Sequence, residues 1–377
     1  MNIGKKIFLM LLAIIGLTVG AGTLYATTVL NYSTDSFSKT YKALGGESEE
    51  RVIEATKPLT VLLMGVDMDQ ASRGGNWEDG RSDSMILMTV NPKTHKTTMV
   101  SLTRDIMVEI ANADGTSSGT FEKLNHSYSY GQAPMTVATV EKMLDIPIDR
   151  YVEINMDGLI ELVDAVGGIM VNNTLGFPIS ISEHEPDYTA VVEPGVQLVN
   201  GNQALVYSRM RYDDPEGDVG RQKRQREVIQ AIVKKLLQLD GITQYKPILD
   251  AVSNNMRTNV SITPRTLPGL LGYKDSLNTI ETHQLDGGGE MIDGLSYQIP
   301  TSEEVLEIQN IIKKSIDAPT ATELRTNVKV REILFGLPSP IPLVDAYTGV
   351  SPVVGTTYSQ SSSSLTEEPS SVDGSEE

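Results

Sequence analysis

The chain has 377 residues, with 49 acidic and 31 basic side chains, a formal net charge of −18 and no cysteine. The length suits one large core or two modest ones, and an apolar content of 40% marks a foldable globular protein. Strong acidity argues against nucleic acid as a partner, and the missing thiols remove cysteine catalysis, thiolate metal sites and disulfides.

Residues 7–34 carry no charge, and residues 7–30 are mostly apolar, long enough to cross a bilayer as a helix. Lys5 and Lys6 precede this run and acidic residues follow it. The charge asymmetry places residues 1–6 in the cytoplasm, a single anchor at 7–30 and the remainder outside the cell membrane. A cleaved signal peptide is the rival reading; the apolar run exceeds a usual signal core, and no clean small-x-small site follows. Residues 31–57 read as a polar extracellular connector. Residues 351–377, with "SQSSSS" and a terminal "GSEE", form a Ser/Glu-rich tail expected to be disordered.

The globular region opens near Pro58. "LTVLLMGVD" is a continuous apolar run expected as a strand buried on both faces. "SMILMTVNP" and "TTMVSLTRD" are two more strands, joined by the short link "NPKTHK" and so antiparallel neighbours. If the three strands run up, down and up, Asp67, Asp83 and Arg104 meet at one edge of the sheet. Downstream, residues 133–144 form an amphipathic helix and "RYVEINM" a strand. "DGLIELVDAVGG" is a helix closed by its glycines, and "IMVNN" a further strand. Alternation of this kind predicts an α/β fold, a mixed central β-sheet flanked by helices, preceded by the transmembrane helix.

The stretch "VYSRMRYDDPEGDVGRQKRQRE" gathers six cations in an acidic chain. If "ALVYSRMRY" is extended, its period of two puts Leu205, Tyr207, Arg209 and Arg211 on one face. A helix follows from about Asp218 to Leu239, with Asp218 as a possible cap. Its apolar stripe through Val228, Ile229, Ile232, Val233, Leu236 and Leu237 projects back onto Gln225 and Arg221. Lys223, Arg224 and Arg226 fall on other sides and read as a solvated face. Each feature has an ordinary alternative. Aspartates at strand ends are usually turn formers, an arginine on a strand is usually paired or exposed, and the start of a stripe can fray into solvent. His126 reads as structural rather than as a general base, and Trp77 either packs over a ligand or clamps its loop. His95, His126, His184 and His283 show no zinc-ligand spacing. Taken together, the arginines and aspartates point to a phosphate or pyrophosphate neutralised by guanidinium groups and a hard cation, Mg²⁺ or Mn²⁺, held by carboxylate and phosphate oxygens.

In order along the chain, "LLMGVD", "GRSDSMILMTVNPKTHKTTMVSLTRD", "KLNHSYSYG", "VNGNQALVYSRMRYDDPEGDVGRQKRQREVI" and "RTNVS" resemble the LytR–CpsA–Psr family. The resemblance implies a catalytic domain over residues 58–316, with residues 317–350 as an extension outside it. It implies transfer of an anionic cell-wall glycopolymer, a teichoic acid or capsular polysaccharide, from a polyprenyl-pyrophosphate carrier to a peptidoglycan acceptor. It further implies Asp67 and Asp83 as Mg²⁺ contacts, and Arg81, Arg104, Lys123, Arg209, Arg211, Arg221 and Gln225 around the pyrophosphate. Arg104, Arg209, Arg211 and Asp218 form the implied catalytic group, with Asp218 orienting arginines or serving as base. A pyrophosphatase using water on the same lipid, and a non-catalytic envelope lipid-binding or regulatory protein, are the competing readings.

Overall fold

The computed structural model describes residues 41–44, 55–68, 76–237, 248, 253–260, 269 and 272–352. The expected anchor at 7–30, most of the connector and all but the first two residues of the tail lie outside them. Among the described residues no helix is long and apolar enough to cross a membrane.

The strands among the described residues are β1 (Leu59–Asp67), β2 (Arg81–Asn91), β3 (Lys96–Leu102), β4 (Met107–Ala111), β5 (Ser117–Lys123), β6 (Arg150–Asn155), β7 (Ile169–Asn173), β8 (Gly195–Val199), β9 (Met256–Thr258), β10 (Ile280–Leu285), β11 (Gly288–Ile292), β12 (Leu295–Ile299), β13 (Leu324–Thr326) and β14 (Leu343–Asp345). The helices are α1 (His126–Leu144), α2 (Met156–Ala165), α3 (Gly201–Arg209), α4 (Asp218–Leu237), α5 (Ser302–Ser315) and α6 (Arg331–Phe335).

The central sheet has the order β10-β3-β2-β1-β6-β9. β1, β2 and β3 are antiparallel neighbours in turn, β6 lies parallel to β1, and β10 parallel to β3. This is a mixed sheet flanked by helices. Alternation along β1 sends Leu62, Met64 and Val66 to one face, where they join Met85, Leu87, Val100 and Leu102. Helices α1 and α5 cover that face with Val137, Val140, Met143, Val305, Ile308 and Ile312. The extension contributes Leu324, Val328, Val330 and Leu343 to this same core, so residues 317–350 pack as part of the domain. A second core gathers Val163, Ile169, Val171, Val199, Val206, Val228 and Ile232 from α2, β7, β8, α3 and α4.

Local chemistry explains the helix ends. Asn155 Oδ1 accepts from the Gly158 amide and starts α2. Asn200 and Gln203 form a capping box at α3, and Thr301 and Glu304 another at α5. Beyond α2, the Gly168 amide turns back to the Val163 carbonyl with Gly167 and Gly168 at positive φ. Helix α1 breaks at Gly131–Gln132 and resumes with Pro134 in its new first turn, a position that tolerates the missing amide.

Two expectations are corrected here. The segment through Arg209 is helical, not extended: α3 runs to Arg209 and Met210 leaves it with extended dihedrals. Its side chains are buried on several sides between α2 and α4, which blurs the helical stripe into an apparent period of two. Arg224 and Arg226 are not solvated either; each is 7% exposed. Arg224 donates to the Tyr207 and Met210 carbonyls and pairs with Asp214, while Arg226 reaches Ser101 on β3 at 2.6 Å and Gln284 on β10 at 3.2 Å. Of these three, only Lys223 keeps an exposed setting, paired with Glu216 at 2.6 Å.

Candidate functional site

The site forms where the edge of β1–β3 meets the start of α4. β1 and β2 stay in register until Gly65 faces Ser84 and Val66 faces Ser82, which leaves Asp83 as the extra residue of a bulge. Bulges re-aim side chains. Asp83 here meets Arg104, just past β3, at 3.0 Å, and accepts from Asn125 at 3.3 Å. Asp67 ends β1 opposite Arg81.

From Arg104 the polar network spreads. Its Nε lies 3.5 Å from Asp105, whose other oxygen takes Lys123 at 2.8 Å. Helix α4 arrives from the opposite side. Arg221 pairs with Asp218 at 2.6 Å and points the same nitrogen toward the Asp83 carbonyl at 3.5 Å. Gln222 bridges Asp218 and Thr103, and Ser84 donates to Gln225 at 2.9 Å. The first turns of α4 are therefore bound to the strand ends by side chains from β2 and from the turn after β3.

The electrostatics follow from this crowding. Burial disfavours the Arg104 charge, but Asp83, Asp105 and Asp218 together outweigh it and raise its pKa above the ordinary arginine value. Burial dominates at Arg221 and lowers its pKa; Asp218 opposes that, and the nearby Arg104 reinforces it. Both stay charged at neutral pH. Among the described residues the buried Nε atoms of Arg209 and Arg221 have no hydrogen-bond partner, and that of Arg104 has only its 3.5 Å ion contact with Asp105. Orphaned guanidinium donors of this kind suit an anionic ligand with several oxygens.

Arg209 and Arg211 lie next to this network but are engaged elsewhere. Arg209 pairs with Glu185 at 2.6 Å and sits 5.5 Å from the Tyr188 ring. Burial raises the Tyr188 phenol, opposed by Arg209 and assisted by Glu185, Asp67 and Asp157, which places Asp67 close to this pair. Arg211 stacks over Tyr212 at 4.7 Å and donates to its hydroxyl, and Tyr212 lies against His184 with ring centroids 4.1 Å apart. An open cleft of about 730 Å³ runs between Asp105, Arg211, Tyr212, Asp214 and Asp218.

Of the residues expected from the sequence, Asp83, Arg104, Lys123, Asp218, Arg221 and Gln225 thus meet in one polar network. Asp67 and Arg81 face each other across β1 and β2, and Arg209 and Arg211 face the 184–188 loop and Tyr212. Sequence patterns alone missed Asp105, Asn125, Gln222, Glu185 and Tyr188. Asp105 and Asn125 adjoin expected motifs; Glu185 and Tyr188 carried no local signal. Trp77 is buried beneath the Arg257 guanidinium, 4.7 Å from its ring.

Fold and site together define a class: an α/β domain with an arginine- and aspartate-lined cleft at one edge of a mixed sheet. The family model described as LytR_cpsA_psr matches residues 26–314, and the chain belongs to this LytR–CpsA–Psr family. It is 54% identical over 339 residues to biofilm regulatory protein A of Streptococcus mutans, covering 89% of this chain and 83% of that one. It is 42% identical over 322 residues to the polyisoprenyl-teichoic acid–peptidoglycan teichoic acid transferase TagU of Enterococcus faecalis, covering 84% and 99%. The crystal structure of protein gbs0355 from Streptococcus agalactiae superposes with a TM-score of 0.71 at 53% identity, over 76% of this chain and 97% of that one.

Proposed function

We propose that this protein transfers an anionic cell-wall glycopolymer from a polyisoprenyl-pyrophosphate carrier to peptidoglycan, leaving a phosphodiester link. The observation that carries this reading is the cluster of Arg104, Arg221 and Lys123, held by Asp83, Asp105 and Asp218 beside the cleft that Asp105, Asp218 and Arg211 line. The transferase name of the Enterococcus faecalis relative supports the same chemistry. Arg104 and Arg221 bind one phosphate, and Arg209 and Arg211 bind the other once they turn from Glu185 and Tyr212. Arg81 and Gln225 complete the rim. Asp218 positions Arg221. Guanidinium groups fixed in place before reaction stabilise the charge that builds on the departing polyisoprenyl phosphate.

The carrier's hydrocarbon needs an apolar path. On the sheet face opposite α1, Leu63 and Gly65 of β1 pair with Val152 and Ile154 of β6, and Leu63 and Val152 are left half-buried there. Alternation continues this strip to Asp67, at the site. Val137, Val140 and Met143 pack instead in the first core, and Leu159, Leu162, Val163, Ile232 and Leu236 in the second. A membrane anchor at residues 7–30 would hold the domain at the outer face of the cell membrane, beside its lipid.

Mg²⁺ fits this donor set. Asp67 and Asp83 present carboxylates from adjacent strands, and among the described residues no third His, Asp or Glu gathers with them into a metal cluster. Mg²⁺ is commonly held by one or two carboxylates with substrate phosphates and water completing the shell. When bound, the ion would neutralise pyrophosphate charge.

The test uses a labelled polyisoprenyl-pyrophosphate glycan and isolated peptidoglycan, with label counted in the washed wall. Wild-type protein should attach label covalently with Mg²⁺ and lose this with chelator. The double variant Arg209→Ala/Arg211→Ala should lose transfer while staying folded. Free glycan phosphate with an unlabelled wall would instead identify a pyrophosphatase.

A further inference from the structure

The chain reverses at residues 122–126 directly beside the anion site. Two backbone bonds hold the turn to the segment after β3: Leu124 N–H to the Ile106 carbonyl at 2.9 Å, and Asn125 N–H to the Arg104 carbonyl at 3.1 Å. Two side chains hold it to the site itself, Lys123 through Asp105 and Asn125 through Asp83. The same turn carries a second pair that the phosphate-binding set leaves unused. His126 Nδ1 lies 3.0 Å from a carboxylate oxygen of Glu122, with both side chains about one quarter exposed. Glu122 also accepts the hydroxyl of Tyr297 from β12. The His126 ring stands edge-on to Tyr130, 6.3 Å between centroids, and Tyr130 is 55% exposed.

This arrangement has directional consequences. A carboxylate at Nδ1 requires the proton there, so the neutral ring leaves Nε2 free to accept one. Glu122 is itself fixed by Tyr297 from a different strand, so the ring is oriented rather than loosely paired. The acids nearer the arginines already serve the phosphate-binding set: Asp83 meets Arg104 and Asn125, and Asp218 meets Arg221 and Gln222. An exposed tyrosine beside the imidazole offers an apolar face to a sugar ring and a hydroxyl at its edge.

We infer that the rim formed by Glu122, His126 and Tyr130, backed by the buried Tyr297, is the acceptor subsite, taking an amino sugar of a glycan strand, and that His126 Nε2 receives the proton of its attacking hydroxyl. The inference rests on the transfer reading above. In this step the acceptor oxygen forms a bond to the glycan-side phosphorus, and the bond from that phosphorus to the bridging oxygen breaks. The electron pair leaves with polyisoprenyl phosphate. The hydroxyl proton goes to His126 and then to solvent, while Glu122 stabilises the imidazolium. Among the described residues Tyr130 stands against the ring and Tyr297 against Glu122, with Asp293 near Tyr297 and Lys123 over the Tyr297 ring at 5.7 Å.

The test compares full-length wild type with His126→Gln, His126→Asn, Glu122→Gln and Tyr130→Ala. A synthetic polyisoprenyl-pyrophosphate disaccharide is the donor and isolated peptidoglycan the acceptor. Donor affinity, kcat, acceptor KM and melting temperature are measured for each. Both His126 variants should lose roughly 10²–10⁴-fold in kcat with unchanged donor affinity, the span of a positioned base. Glu122→Gln should lower kcat at unchanged donor affinity, by a smaller factor than the His126 variants. Tyr130→Ala should raise acceptor KM several-fold at unchanged donor affinity. Wild-type kcat in either folded His126 variant would overturn the inference. So would equal losses in donor binding and transfer, which mark a merely structural ring. A wild type that binds donor but never labels the wall would sink the transfer reading itself, a result distinct from the failure of His126 alone.

Discussion

Arg209 spends its charge on Glu185: their side chains meet at 2.6 Å, each about one quarter exposed. Glu185 belongs to the 184–188 loop, which also supplies His184 against Tyr212 and Tyr188 beside Arg209. A carboxylate here occupies the guanidinium fork that a phosphate would use, so the two compete. Glu185→Gln should therefore tighten donor binding by about two- to fivefold, the scale of a partly exposed ion pair of ~0.5–1 kcal/mol. Direct titration of a polyisoprenyl-pyrophosphate donor checks this. Weaker binding in the variant would mean that Glu185 aims Arg209 rather than blocks it.

The 210–217 loop that carries Arg211 is held from beneath. Arg224 pairs with Asp214 and closes on the Tyr207 and Met210 carbonyls, with both ionic side chains almost wholly buried. Removing one member of a buried pair leaves the other charge without compensation. Arg224→Met should cost about 3–5 kcal/mol in urea unfolding. Gly220 packs so close to this pair that an added Cβ would lie 2.0 Å from the Asp214 carboxylate, so Gly220→Ala should destabilise the same loop. Thermal unfolding of both variants is the measurement, and a neutral Arg224→Met would show that the loop is held by other contacts.

Much of this was legible in residue patterns, and the exceptions have physical causes. β1, β2 and β3 announced themselves as apolar runs, and the short link between β2 and β3 dictated the antiparallel pairing that brings Asp83 to Arg104. The bulge at Asp83 was not readable, because it is a register defect between two strands. The segment through Arg209 misled because burial between two helices left no polar face to set the period. Its helical signal was present all the same, in the Asn200–Gln203 capping box. Arg224 and Arg226 misled for a different reason. A helical wheel shows where a side chain points, but not that carbonyls from α3 and the turn after it, and side-chain oxygens from β3 and β10, wait there to satisfy it.

Asp67 offers a separate test of the cation. It ends the strand next to the one bearing Asp83, and it does not take part in the Arg104 contact. Asp67→Asn should leave the Arg104–Asp83 pair in place while raising the Mg²⁺ concentration needed for half-maximal transfer. A metal titration of transfer, with Mn²⁺ binding followed by electron paramagnetic resonance, reads both quantities. Unchanged Mn²⁺ binding in the variant would remove Asp67 from the metal site.

Glu153 should make stability depend on pH through a group away from the Arg104–Asp83 network. It lies on β6 beneath α1, is 1% exposed, and accepts the Tyr128 hydroxyl at 3.2 Å. Burial pushes its carboxyl up to about 7 from an ordinary 4.5, against the pull of Arg257, Tyr128 and Lys42. The folded state thus favours the protonated acid. Its favourable contribution is complete below about pH 4.5 and is lost progressively as pH rises to about 7, because the unfolded chain ionises first. Glu153→Gln keeps an acceptor for Tyr128 and cannot ionise. Relative to wild type it should gain stability between pH 5 and pH 8, by an amount approaching ~3 kcal/mol, since each tenfold difference in proton affinity between the folded and unfolded chain is worth about 1.36 kcal/mol. Urea unfolding of both proteins at the two pH values measures the difference. A gap that stays constant with pH would mean that water reaches Glu153 and restores its ordinary titration.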